Sequence, residues 1–323
     1  MQTTEFINKA NALSTAGKSF LFLIDFEMQK PKLWLPDEVN ADELLFSING
    51  FTNAPAPAKS KRDISLQVFP VKEEEYRIKF NAVLQELNYG NTFLANLTAK
   101  SRIEINTTLK ELFFKVQAPY RCWLRNQFLF FSPESFVKIS EDKIYTYPMK
   151  GTIDATIPNA ASIILNNEKE TAEHVTIVDL LRNDLSRVAT NVRVSKFRYL
   201  DVIKTNRNEI IQVSSEIVGD IMPAYKNCMG SLLMELLPAG SICGAPKNKT
   251  VHVIQHVEKE PRGYYTGIFG YFDGKNLDSC VNIRFIEQQE NLVYYRSGGG
   301  ITTQSVWQSE YEEVIQKIYV PAV

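Results

Sequence analysis

Apolar positions recur along this chain with two periods, one helical and one extended. From Glu73 to Leu87 the residues Tyr76, Phe80, Val83, Leu84 and Leu87 fall at three- and four-residue steps, which predicts a helix. Residues 168–190 predict a second helix and 226–237 a third. A fourth follows the Gly/Pro-marked loop Pro238–Pro246 and runs to about His256, and Val306–Tyr319 predicts an amphipathic last helix. Elsewhere the period shortens. Phe20–Ile24 is an unbroken apolar run ending at Asp25, the pattern of a buried strand. Residues 101–148 alternate, as in Phe128–Ser132 and Lys143–Tyr147, and predict antiparallel strands. Strand pattern returns over 208–220, and 264–299 predicts a meander with a turn at Asp273-Gly274.

Strands and helices do not alternate regularly, so the expected fold class is α+β rather than a doubly wound sheet. The Ala/Pro stretch Ala54–Ala58, followed by Lys59, Lys61 and Arg62, predicts an exposed loop. No linker divides the chain, and residues 1–323 read as one domain.

Composition changes this picture only by exclusion. The 36 basic and 37 acidic residues nearly cancel, which leaves no electrostatic footprint for nucleic acid or an anionic membrane surface. No apolar run approaches a bilayer span, and no basic n-region or small-residue cleavage site marks a signal peptide. Cys122, Cys228, Cys243 and Cys280 are not paired as C-x-x-C, and a chain this long needs no disulfide staples. They read as reduced thiols in a cytoplasmic protein. His174, His252 and His256 form no zinc-type spacing with them.

Two acidic pairs carry the first hint of chemistry. Glu170 and Glu173 are three apart on a predicted helix, so both carboxylates leave one face. Glu310 and Glu313 repeat the device, with Lys317 four residues on. At about 100° per residue these three share a stripe beside the apolar stripe of Trp307, Tyr311, Val314 and Ile318, at the edge of the core. Such pairs are ordinarily solvated faces. Brought together, they form a hard-oxygen set suited to Mg²⁺. Two glycine-rich segments, Ala239–Lys247 (AGSICGAPK) and Ser297–Gly300 (SGGG), could cradle an anion or simply turn tightly; neither fits a P-loop or a dinucleotide fingerprint. Arg284 stands in the apolar segment VNIRFI, where a guanidinium needs a carboxylate partner, either structural or belonging to a substrate.

Taken together, the segments FFSPESF (Phe130–Phe136), PMKGT (Pro148–Thr152), AEHVTIVDLLRNDLSRV (Ala172–Val188), GSICGAPK (Gly240–Lys247), RGYYTGIFGYF (Arg262–Phe272), VNIRFI (Val281–Ile286) and SGGGITTQSVWQSEYEEVIQK (Ser297–Lys317) resemble the chorismate-utilising enzyme family. That family includes anthranilate synthase component I, aminodeoxychorismate synthase component I, isochorismate synthase and salicylate synthase. The resemblance implies large antiparallel sheets packed together with helices outside, and an Mg²⁺-dependent site in a cleft. It implies Glu173 and Glu313 as direct metal ligands, supported by Glu170 and Glu310. Tyr265, Arg284 and the Gly300 backbone would hold the enolpyruvyl carboxylate of chorismate, and Ser241 its ring carboxylate. Lys317, Gly299, Thr152 and Gln212 complete the implied substrate-binding set.

The reaction type turns on Lys150. Sister enzymes typically have alanine there, whereas the aminodeoxychorismate branch has lysine in a P-I-K-G-T pattern. The resemblance therefore implies that Lys150 attacks ring carbon C2 of chorismate as the C4 hydroxyl leaves. Glu134 of the SPE segment would protonate that hydroxyl, and ammonia would then attack C4 and expel the lysine. The product, 4-amino-4-deoxychorismate, serves para-aminobenzoate and folate biosynthesis. The chain shows no Cys-His-Glu glutaminase signature, so the implied partner is a separate glutamine amidotransferase subunit that supplies ammonia.

Three departures stand out: Gln212 where many relatives have histidine, Ile153-Asp154 where Pro-Arg is common, and Cys243 in place of Thr or Ser. Relatives also carry more N-terminal sequence than the roughly 90 residues that precede the matching core here. A tryptophan-binding site in that region is therefore expected to be reduced or missing. Two other readings are an anthranilate or isochorismate synthase and a non-catalytic chorismate-binding subunit. Lys150 and Gln212 weigh against the first, and Glu134, Lys150, Glu173, Arg284 and Glu313 against the second.

Overall fold

The computed structural model describes residues 1–56, 63–204 and 209–321. The basic end of the expected loop, Lys59, Lys61 and Arg62, lies outside the described residues. Among the described residues two antiparallel sheets dominate, each of nine strands. The first runs in the order Met149–Asp154, Glu209–Ile221, Lys143–Thr146, Ser135–Ser140, Leu277–Val281, Ile268–Phe272, Phe20–Ile24 and Lys32–Trp34, and Ala189–Lys204 pairs with Glu209–Ile221 off this path. The second runs Gly244–Ala245, Leu94–Ile105, Leu292–Ile301, Phe285–Gln289, Phe128–Ser132, Tyr120–Leu124, Leu44–Ile48 and Phe51–Thr52, with Leu66–Phe69 against Leu94–Ile105.

Side-chain alternation explains why Phe20–Ile24 is apolar throughout. Leu21 and Leu23 face the second sheet and pack with Phe46, Phe130, Phe269 and Phe285 between the sheets. Phe20, Phe22 and Ile24 face the opposite way, into a core shared with helices. Those helices are α1 (Thr3–Thr15), α2 (Glu73–Asn88), α3 (Leu109–Lys115), α4 (Ala160–Leu165), α5 (Glu168–Leu185), α6 (Met229–Leu236), α7 (Lys247–Glu258) and α8 (Trp307–Gln316). Of these, α1, α5 and α6 cover the first sheet, α3 covers the second, and α2, α7 and α8 pack together beside Leu94–Ile105. The fold is thus α+β with the sheets inside and helices outside, as expected. Among the described residues no helix is long and apolar enough to cross a membrane.

Four local expectations need correction. The helix predicted over 168–190 stops at Leu185, because Val188 and Ala189 must turn into the long strand Ala189–Lys204, which pairs with Glu209–Ile221. The region 101–148 is not strand alone: Thr108 caps α3 through a reciprocal capping box with Glu111. The segment Ser297–Gly300 is neither a turn nor a nest, since it continues the strand Leu292–Ile301 and pairs with residues 96–99. Arg284 is not in a strand. It sits at φ +53° in the connection by which the chain leaves Leu277–Val281 in the first sheet and enters Phe285–Gln289 in the second.

Candidate active site

Every residue singled out from the sequence for a role in the site lines one cavity of about 610 Å³. Two of them, Glu134 and Arg284, occupy equivalent places: both lie where the chain crosses between the sheets. Glu134 follows Phe128–Ser132 of the second sheet and precedes Ser135–Ser140 of the first. Its backbone is fixed by the Ser132 hydroxyl, which accepts from its N–H at 3.1 Å, and by the Val281 N–H, which donates to its carbonyl at 3.1 Å. Burial pushes the Glu134 carboxyl up. The hydrogen bond from Ser241 and the nearby charges of Lys150, Lys317 and Arg284 oppose that rise. Ser241 Oγ donates to Glu134 Oε1 at 2.6 Å. The resemblance implies a contact from the same hydroxyl to the ring carboxylate of chorismate, and Ser241 lines the cavity.

Lys150 owes its direction to an irregularity. Met149 pairs with Ser214 and Thr152 with Gln212, and the register shifts between them, so Lys150 and Gly151 form a bulge at the sheet edge. Gly151 has φ +78°, and a Cβ there would stand 3.1 Å from Glu170 Oε2. Lys150 Nζ ends 3.4 Å from Glu173 Oε2, and 4.0 Å from where a Cβ on Gly300 would be.

The acidic pairs come from two helices that line the cavity. Glu170 and Glu173 stand on the first turns of α5, whose start is capped by the Asn167 side chain accepting from the Glu170 N–H. Glu310 and Glu313 stand on α8. Glu310 is buried rather than at the core's edge, and Ser305 Oγ donates to it at 2.8 Å. Glu313 Oε1 meets Lys317 Nζ at 2.6 Å, and Lys317 also donates to the Gly298 carbonyl. A Cβ on Gly299 would lie 3.4 Å from Glu310 Oε2 and 3.8 Å from Glu313 Oε1. The glycines of SGGG thus make room for the acidic helix.

Among the described residues no three His, Cys, Asp or Glu side chains gather into a metal cage. The donor set still suits Mg²⁺, which takes one or two carboxylates and completes its shell with waters and substrate oxygens. Glu173 and Glu313, one from each helix and each beside a lysine, are the residues that would hold it.

Arg284 and Tyr265 form the far end of the cavity. Arg284 donates to the Lys317 carbonyl at 3.0 Å, while its Nε is buried without a hydrogen-bond partner. Burial pushes the Tyr265 hydroxyl up to about 12. Sequence reasoning missed Tyr319, which lines the cavity and lies under the Arg284 guanidinium at 4.7 Å. It also missed Asn96, on the strand opposite Gly300. No periodicity marks either residue; both are placed by tertiary packing.

Comparison with known proteins fits this geometry. The model of the chorismate binding enzyme family matches residues 7–322. An uncharacterized PabA-like protein of Haemophilus influenzae is 49% identical over 98% of this chain and 96% of its own length. Aminodeoxychorismate synthase component 1 of Bacillus subtilis is 29% identical over 95% of this chain and 70% of its own. Among solved structures, MenF, the menaquinone-specific isochorismate synthase of Escherichia coli, superimposes with a TM-score of 0.74 over 97% of this chain and 80% of its own, at 14% identity, and so shares the fold. The chain belongs to the family of chorismate binding enzymes.

Proposed function

We propose that this enzyme aminates chorismate at ring carbon C4, giving 4-amino-4-deoxychorismate, with Lys150 as a transient covalent nucleophile. The observation that carries the reading is the bulge that turns the Lys150 amine into the cavity between Glu173 and Gly300, opposite Glu134. A lysine at this point can bond covalently to the ring, which direct addition of water or ammonia to the ring does not need. The similarity to aminodeoxychorismate synthase component 1 over nearly the whole chain supports the same branch.

The residues divide the work as follows. Arg284 and Tyr265 hold the enolpyruvyl carboxylate, with Gly299 and Gly300 giving it close approach. Lys317, Thr152 and Gln212 bound the ring. Glu173 and Glu313 would hold Mg²⁺, supported by Glu170 and Glu310, and the bound cation would supply charge to neutralise the ring carboxylate. The Lys150 amine forms a bond to C2 as the ring double bond shifts and the C4 oxygen leaves. Glu134 delivers the proton that makes the leaving group water, and burial, which pushes this carboxyl up, favours its carrying that proton. Ammonia then bonds to C4, the double bond returns, and the lysine amine departs.

Ammonia comes from a separate glutamine amidotransferase subunit. Cys122, Cys243 and Cys280 are buried, and burial raises each thiol, so these three are unsuited to glutaminase chemistry.

Withholding ammonia tests the nucleophile. Intact-mass analysis after incubation with chorismate and Mg²⁺ should show an adduct of chorismate less water on the peptide bearing Lys150, absent from Lys150→Ala. A purified Lys150→Ala variant that keeps wild-type amination would refute the assignment.

A further inference from the structure

Behind the cavity wall lies a buried ion pair that the reaction does not touch. Asp184, on the last turn of α5, meets Lys247, the first residue of α7, at 2.6 Å, with side chains 9% and 8% exposed. Burial pushes the Asp184 carboxyl up, against the lysine and the Gly240 N–H that it accepts. A buried pair of this kind gives little net stability over apolar packing, because both charges must be desolvated. Its partners suggest what it is for.

Asp184 holds the turn itself, and Lys247 holds the chain that leads into it. The Gly240 N–H donates to Asp184, and Lys247 Nζ donates to the Leu236 carbonyl at 2.9 Å, just ahead of the turn Gly240–Ile242. The approach is so close that a Cβ on Gly240 would lie 2.5 Å from Asp184 Oδ2 and 3.2 Å from Leu180 Cγ. The far end of the turn is held by the Ile242 carbonyl, which accepts from Arg262 at 2.9 Å. Between these anchors, Ser241 reaches Glu134. The other groups facing Glu134 are Lys150 from the bulged strand, Lys317 from the end of α8, and Arg284 from the second crossing.

We propose that the Asp184–Lys247 pair is a positioning device for the acid, fixing the Gly240–Ile242 turn so that the Ser241 hydroxyl meets Glu134 from one defined place. The inference rests on the reading of Glu134 as the proton donor. A hydroxyl that donates to a carboxylate favours its charged form, so the pair governs the protonation of Glu134 without touching substrate. It also ties that setting to α5, whose first turns carry Glu170 and Glu173.

The test is an infrared titration of the protonated Glu134 carboxyl band, assigned by its loss in Glu134→Gln. Ser241→Ala should raise the midpoint, since a donor to the charged form is gone. Asp184→Asn/Lys247→Gln should raise it in the same direction and lower turnover by about 10²-fold through misplacement. Adding Ser241→Ala to that pair variant should move the midpoint no further, because both changes remove one contact. A pair variant that titrates like wild type while Ser241→Ala shifts overturns the proposal, as does an additive triple variant. Should the pair variant not fold, Gly240→Ala wedges the turn away from an intact pair and must raise the midpoint; an unchanged midpoint there also overturns it. Failure of the underlying reading shows separately, as Glu134→Gln retaining full turnover.

Discussion

Arg262→Met is predicted to cost this protein about 3–5 kcal/mol, the usual penalty for stranding one member of a buried ion pair. Arg262 is 2% exposed and uses most of its donors. It gives two bonds to Glu258, at 2.9 and 2.7 Å, one to the Ile242 carbonyl at 2.9 Å, and one to the Asn96 carbonyl at 2.6 Å. Its guanidinium also lies 4.7 Å over the Phe26 ring. Methionine keeps the stem's volume and removes all of these donors. Among the described residues Glu258 then retains the Thr98 N–H and hydroxyl, both at 2.9 Å, for a carboxylate sealed from water. Domains are stable by about 5–15 kcal/mol, so the loss is a large share of the total. Urea unfolding followed by tryptophan fluorescence should show the midpoint falling sharply. Arg262→Met/Glu258→Gln should recover more than half, since the amide oxygen still accepts from Thr98 and no charge is stranded. Because Asn96 and Ile242 line the cavity, the single variant should also lose turnover. A loss below about 1 kcal/mol in the single variant would refute the reasoning.

Three further outcomes are expected. At fixed free ammonia, turnover should fall as pH rises through the Glu134 pKa, which burial holds above the usual carboxyl range; Glu134→Gln should lose about 10²-fold, and its residual rate should lack that limb. Tyr319→Ser should raise KM for chorismate about 5-fold with kcat nearly unchanged, from loss of about 1 kcal/mol of cation–π support to Arg284, while Tyr319→Phe keeps the wild-type KM; equal KM values in both would exclude the ring contact. Gly244→Ala should destabilise by at least about 2 kcal/mol in thermal or urea melts, because φ is +133° and the new Cβ would run into the Leu94 carbonyl.

The sequence carried the fold class and most of the site, for identifiable reasons. Phe20–Ile24 follows from its unbroken apolar run, the strands after 264 from local patterning, although they form two hairpins in different sheets rather than one meander, and the two acidic pairs from helical spacing. What spacing cannot supply is distance between elements. The bulge that aims Lys150 depends on how Met149 and Thr152 pair with Glu209–Ile221, far along the chain. Arg284 resembled a strand residue because its neighbours Ile283, Phe285 and Ile286 are apolar, yet those neighbours serve a crossing between sheets. The same limit hid Asp184–Lys247 and Arg262–Glu258, since a charge in sequence carries no mark of its burial.

The central claim is amination at C4, and identifying the product by mass tests it most directly. With chorismate, Mg²⁺ and ammonium, the purified chain should form 4-amino-4-deoxychorismate with the enolpyruvyl group retained. Formation of anthranilate or isochorismate, or chorismate left intact even when an active glutamine amidotransferase subunit and glutamine are supplied, would contradict the account.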